Sequence, residues 1–110
     1  MDIRTTVIEI VAEILEIDPA ELHDETYLIR DLGADSLDLL EIAVNLSRRF
    51  KLQIDDDEIF LRSLRQNLER LDVCYPSLSP ARLIEIRAEL DAGPVLKLKD
   101  LISYLKHHGV

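Results

Sequence analysis

The chain has 110 residues, 47% of them hydrophobic, with 22 acidic residues against 13 basic ones and a net charge of −9. That length supports one core and one domain over residues 1–110, and the acidic balance opposes nucleic acid and anionic lipid while favouring basic protein patches. A single cysteine, Cys74, excludes an internal disulfide framework, and with no signal peptide or membrane-length apolar run the expected setting is the reduced cytoplasm, without membrane insertion.

The charge is uneven along the chain. Residues 1–58 carry a net −11 and residues 59–110 a net +2, so the two halves face different partners or each other. From Ile3, the apolar positions Val7, Ile10, Val11, Ile14 and Leu15 recur at three and four residues, which predicts a helix capped by Asp2 and ending near Ile17. Asp18-Pro19 opens a new segment, with proline at a permitted first helical position. A long irregular connection runs from there to Ala34, with Leu22, Tyr27, Leu28 and Leu32 as its apolar anchors and His23 as a solvated loop residue.

The connection leads into Asp31-Leu32-Gly33-Ala34-Asp35-Ser36-Leu37-Asp38-Leu39-Leu40-Glu41-Ile42. Gly33 is free to take positive φ, and Asp35 or Ser36 then caps a helix running to Phe50. A hydroxyl at such a start is exposed. None of the three histidines, at 23, 107 and 108, lies nearby in sequence, and no G-x-S-x-G elbow surrounds Ser36. Ser36 therefore reads as the acceptor of a modification rather than a self-activated nucleophile. The helix itself carries two apolar stripes: Leu39, Ile42, Ala43, Leu46 and Phe50 at core spacing, and Leu37, Leu40 and Val44 on a neighbouring face lined by Asp38 and Glu41. The second stripe is either a widening of the core or an exposed apolar patch ringed by carboxylates.

These residues, D-L-G-A-D-S-L behind an amphipathic helix and ahead of an acidic one, resemble the attachment site of acyl carrier proteins over roughly the first half of the chain. The resemblance implies that Ser36 carries 4'-phosphopantetheine through a phosphodiester, with an acyl chain held as a thioester on the terminal thiol. It implies a phosphopantetheinyl transferase as partner, with Asp35 resembling the residue that helps to position the metal of the transferase complex. It also implies acyl-loading and acyl-transfer enzymes with basic patches docking on Leu37, Asp38, Leu40, Glu41 and Val44. Ile10, Ile14, Leu39, Leu46 and Leu61 are candidates for lining an acyl pocket, besides being candidates for structural core. Two departures accompany the resemblance: Ser47-Arg48-Arg49 and Lys51 where many carriers are acidic, and a long link from Ile59 to Leu96 where an ordinary carrier has a short one with one small helix. The cations also suit a helix C-terminus.

Asp55-Asp56-Asp57-Glu58 lacks the spacing and glycine of a calcium loop and reads as a capped helix start. From Ile59 the pattern Leu61, Leu64, Leu68 and Leu71 predicts one amphipathic helix of about four turns, with Glu58 and Arg62 as an i,i+4 pair. Cys74 to Leu78 breaks it. Ser79-Pro80 starts another helix with Leu83, Ile86 and Leu90 inward, and Gly93-Pro94 stops it. The last helix follows from Leu98, Leu101, Ile102 and Leu105, with Lys106, His107 and His108 at its end and Gly109 closing it. Cys74 has no adjacent cation or histidine, which makes it a packed or loop thiol, and the two adjacent histidines point to different sides of a helix, so no metal site is expected.

The sequence thus predicts an all-α, up-and-down bundle of four to five helices with an inserted helical segment at about 59–97, which is either an added hairpin or a lid over the acyl pocket. The expected role is a non-enzymatic acyl carrier serving fatty-acid or specialised lipid synthesis, such as that of lipopolysaccharide, with no catalytic residue of its own. A peptidyl or polyketide carrier is the alternative within the class. An unmodified acidic interaction module and a serine hydrolase are the alternatives outside it.

Overall fold

In the computed structural model, which describes residues 2–110, Asp2 opens the first helix by accepting a hydrogen bond from the Arg4 amide at 3.2 Å. Helix α1 (Ile3–Leu15) buries Val7, Ile10 and Val11 and ends at Glu16, whose left-handed φ of 57° turns its amide back onto the carbonyls of Ala12 and Glu13. A short 3-10 turn, Pro19–Glu21, follows under an Asp18 cap. Leu22 and Leu28 then bury fully enough to pin the long connection onto the core, as their apolar character predicts. Helix α2 (Ser36–Phe50) lies against α1 and ends with Arg48 and Arg49 in its last turn, where cations favour the negative end of the helix dipole.

The second half departs from the sequence reading. Helix α3 (Asp56–Phe60) starts under an Asp55 cap but stops at Leu61, which takes a left-handed φ of 55°. The single four-turn helix expected from Ile59 to Leu71 is instead α3, a turn, a 3-10 stretch at Arg65–Arg70 and the short helix α4 (Leu71–Cys74). Tyr75 is the reason. Its buried hydroxyl accepts the Ser63 amide at 2.9 Å and donates to Asp57 at 3.2 Å, so the chain folds back over the ring. Burial pushes that phenol up to about 12, and it stays a neutral donor. Leu61, Leu64 and Leu71 still reach the core, which is why the periodicity misleads. The Glu58–Arg62 pair does not form either: Glu58 meets His108 at 3.0 Å, and Arg62 leans over the Phe60 ring.

Helix α5 (Pro80–Glu89) begins under Ser79 as predicted and runs into a 3-10 turn, Leu90–Ala92, ended by Gly93 at φ 133°. Helix α6 (Leu98–His107) packs on α1 and α3, and its Tyr104 hydroxyl accepts the Asp55 amide at 2.9 Å. No strand occurs among the described residues, only one antiparallel bridge between Tyr27 and Lys97. Six α-helices occur among the described residues, one more than the upper expectation, and the excess lies in the segment between α3 and α6. That segment joins the common core through Tyr75, Leu78, Leu83 and Ile86.

What holds it there is ionic. Arg82 of α5, 4% exposed, makes a two-pronged contact with Asp100 of α6, which is 2% exposed, with Nε and Nη2 each 2.8 Å from a carboxylate oxygen. Nη2 also donates to the Val95 carbonyl at 2.6 Å, and Asp100 accepts the Lys97 amide at 2.9 Å as the cap of α6. Around this centre, Glu25 accepts from Lys97 and Lys99, Lys99 also reaches Glu85, and the Tyr27 hydroxyl donates to Glu89. The acidic first half and the basic second half therefore meet each other at this seam.

Removing one member of a buried pair strands the other. Arg82→Met is expected to lower stability by about 3–5 kcal/mol in urea unfolding, and Arg82→Met with Asp100→Leu to lose less than the single change even though the cap is gone. Hydrogen bonds from Lys97 and Lys99 hold Glu25 down to about 2, below the ordinary 4.5. A depressed carboxyl stabilises the fold above about pH 4.5, and that contribution fades as pH falls toward 2. Glu25 is 63% exposed, so the effect is small. Glu25→Gln is expected to flatten the acid limb of the unfolding curve in that window.

Candidate functional site

The turn before α2 is built to present one hydroxyl. Gly33, at φ 71°, donates to the Ile29 carbonyl at 2.9 Å, and the next amide, of buried Ala34, donates to Leu28 at 3.1 Å. Asp35 then takes extended backbone and forms a capping box: its carboxylate accepts the Asp38 amide at 2.9 Å while its own amide donates to the Asp38 carboxylate at 3.0 Å. Asp35 is therefore the cap, and Ser36 the first helical residue. The Ser36 side chain is exposed, and its hydroxyl has no hydrogen-bond partner among the described residues.

Ser36 and Asp35 stand on the rim of a half-open cavity of about 790 Å³ between α2 and the segment that follows α3. Leu39, Phe60, Leu61, Leu64, Val95 and Leu96 give it apolar walls. No histidine, lysine or cysteine lines it. The carboxylates that line it are engaged elsewhere, Asp35 with the Asp38 amide and Asp91 with Arg65, so no imidazole, amine or thiol is set against the hydroxyl among the described residues. Of the residues expected to line a pocket, Leu39 and Leu61 do. Ile10 and Leu46 are buried in the core, Ile14 packs against it half-buried, and none of the three lines this cavity.

The second stripe of α2 faces solvent. Leu37, Leu40 and Val44 are 64%, 50% and 45% exposed, with Glu41 exposed beside them and Asp38 partly so. Leu40 and Val44 also border a shallow groove of about 400 Å³ that ends at Arg48 and Asp56. Apart from Leu61, the cavity wall from Phe60 to Leu64 and from Val95 to Leu96 had no separate signal in the sequence, because only the fold-back at Leu61 and the Arg82–Asp100 seam bring it to Ser36.

A family model described as a phosphopantetheine attachment site matches residues 5–71. The chain belongs to the acyl carrier family. An acyl carrier protein of Wolinella succinogenes is 42% identical over 50 residues, covering 46% of this chain and 66% of the relative. Those of a Sulfurovum species and of Campylobacter curvus are 40% and 42% identical over the same length, covering 67% and 65% of those proteins. The match thus spans about two thirds of the length of these relatives. No match was found among solved structures.

The group that marks an acyl carrier is covalently attached 4'-phosphopantetheine. The residues present fit it: an exposed, uncommitted hydroxyl at a rigid helix start, opening beside a cavity with apolar walls. The rigidity can be measured. Asp35→Ala removes the cap and is expected to cost about 1 kcal/mol, with faster hydrogen exchange of the first-turn amides, Asp38 above all, while the core amides of α1 and α6 keep their protection.

Proposed function

We propose that this protein is an acyl carrier whose attachment residue is Ser36, and that it is itself no catalyst. The observation that carries the reading is the free Ser36 hydroxyl on the rim of a cavity with apolar walls and, among the described residues, no histidine, lysine or cysteine. A partner transferase supplies the base; a bond forms between Ser36 Oγ and the pantetheine phosphorus of coenzyme A, and the pyrophosphate bond breaks to release the nucleotide. The attached arm supplies a thiol that holds an acyl group as a thioester. The protein's own residues do the rest. Asp35 fixes the direction of the attachment point and stands beside the place a transferase-bound cation would take.

Leu37, Asp38, Leu40, Glu41 and Val44 form the docking face for enzymes with basic patches, the leucines and valine giving contact area and the carboxylates orientation. Arg48, Arg49 and Lys51 bound that face at its far end and select against partners built for a uniformly acidic helix. Leu39 and Leu61 line the acyl pocket. Ile10, Ile14 and Leu46 stand behind it as core that repacks when a chain enters. A void in so small a protein costs about 24 cal/mol per Å³, and an acyl chain that fills it offsets that loss. The roomy wall added by residues 59–97 favours long or unusual acyl groups, as in specialised lipid synthesis such as that of lipopolysaccharide.

Incubation with a phosphopantetheinyl transferase and coenzyme A is expected to raise the intact mass by one phosphopantetheinyl group, and Ser36→Ala to abolish the gain. An unchanged mass would leave an unmodified interaction module. Leu40→Asp with Val44→Asp is expected to lower the transfer rate at least tenfold without moving the unfolding midpoint, because both side chains already face water. Native mass spectrometry of the holo form isolated with its acyl group should find long chains, and short ones alone would count against the lipid assignment.

A further inference from the structure

The cavity beside Ser36 has a charge pattern that its role as an apolar pocket does not require. Among the described residues its cations are Arg62 and Arg65, both from the fold-back that follows Leu61, set against the carboxylates Asp35 and Asp91. Arg65 is already oriented: Nη2 donates to the Leu90 carbonyl at 3.0 Å and to Asp91 at 3.1 Å, so it bridges the two sides of the mouth. A guanidinium has five N–H donors, and these contacts leave others for a further acceptor. Arg62 is exposed, lies with its guanidinium carbon 5.6 Å from the centre of the Phe60 ring, and makes no ion pair among the described residues. The loop carrying both is held by the buried Tyr75 hydroxyl on the Ser63 amide and by Asn67 on the Ser63 carbonyl at 2.8 Å. Two arginines are thus set on the rim of the same cavity as a serine flanked by Asp35 and Asp38.

A phosphodiester on Ser36 is drawn to the N-terminus of α2 but also meets the carboxylates of Asp35 and Asp38 there, and across the cavity Arg62, unpaired among the described residues, and the Asp91-paired Arg65 add a second attraction. Arg30, the other nearby cation, is turned onto the Tyr27 ring at 4.1 Å and does not line the cavity. We propose that Arg62 and Arg65 form an anion-holding rim that binds the Ser36 phosphodiester and folds the arm into the cavity, so that the carrier keeps its thiol covered when no partner is docked. The inference rests on Ser36 bearing the arm. Guanidinium groups suit the task because their planar donor fork matches phosphate oxygens.

The test uses holo protein in a Cys74→Ser background, where the arm carries the one remaining thiol. The reaction rate of that thiol with a bulky maleimide is measured at low salt, alongside the width of the phosphodiester phosphorus resonance. Arg62→Gln, which unhooks no ion pair, is expected to speed labelling about threefold and to narrow the resonance; with Arg65→Gln added, the rate rises about fivefold, the scale of one or two exposed charge contacts. Arg62→Lys keeps most of the protection, and high salt removes the difference between all forms. Equal rates and equal widths for wild type, Arg62→Gln and the double variant at low salt would overturn the anion-holding rim while leaving the carrier reading intact. A failure of the serine to gain mass at all would strike the carrier reading instead, before this experiment begins.

Discussion

The two-pronged contact between Arg82 and Asp100 sets the geometry around the turn that ends in Ser36. Both side chains are almost wholly withdrawn from water, a placement that is costly unless the guanidinium and the carboxylate find all their partners. They do: the carboxylate also caps α6, and the guanidinium also takes the Val95 carbonyl. One pair therefore fixes the start of α6, the return strand of chain at Val95–Leu96 and the orientation of α5. The Tyr27–Lys97 bridge then carries that order to the long connection, through the Leu28 amide on Leu96 at 3.1 Å and the Leu98 amide on Thr26 at 3.0 Å. The loop that ends in Ser36 is thus tied to the far half of the chain.

The chemistry follows from what surrounds the serine and from what does not. Ser36 has no imidazole, amine or thiol set against its hydroxyl among the described residues, and the neighbouring Asp35 carboxylate is taken up by the Asp38 amide. Presentation then matters more than reactivity, and the capping box provides it by fixing backbone at the helix start. The same helix divides its labour by face. Leu39, Ile42 and Leu46 turn inward to the core, while Leu37, Leu40 and Val44 stay exposed to water.

Most of the first half was legible because its signals are local. Asp2, Gly33 and Asp35 act within four residues of their own positions, and the boundaries of α2 follow from its cap and its apolar spacing. The exposure of Leu40 and Val44 was left open by the spacing alone, since a broad core face and a docking face have the same pattern. The second half was less legible for a physical reason. A leucine at every third or fourth position buries equally well in a long helix and in a folded-back chain, and the choice between them lies with Tyr75 and Asp57, 18 residues apart. The seam of Arg82, Asp100, Lys97 and Glu25 was invisible in the same way, although the opposite net charges of the two halves hinted that they meet. Ile10, Ile14 and Leu46 were plausible pocket residues by type, but depth in the core depends on which helices pack together, and α1, α2 and α6 do so without leaving room.

The handedness of one peptide unit decides the shape of the molecule near Ser36. Leu61 sits in a backbone region that costs an ordinary residue roughly 1–2 kcal/mol, and its side chain is buried, so neither a β-branched residue nor a small one replaces it without loss. Were it to relax into right-handed backbone, α3 would run on as a straight rod and carry the next two arginines several ångströms along its axis. The mouth would then have one lip instead of two.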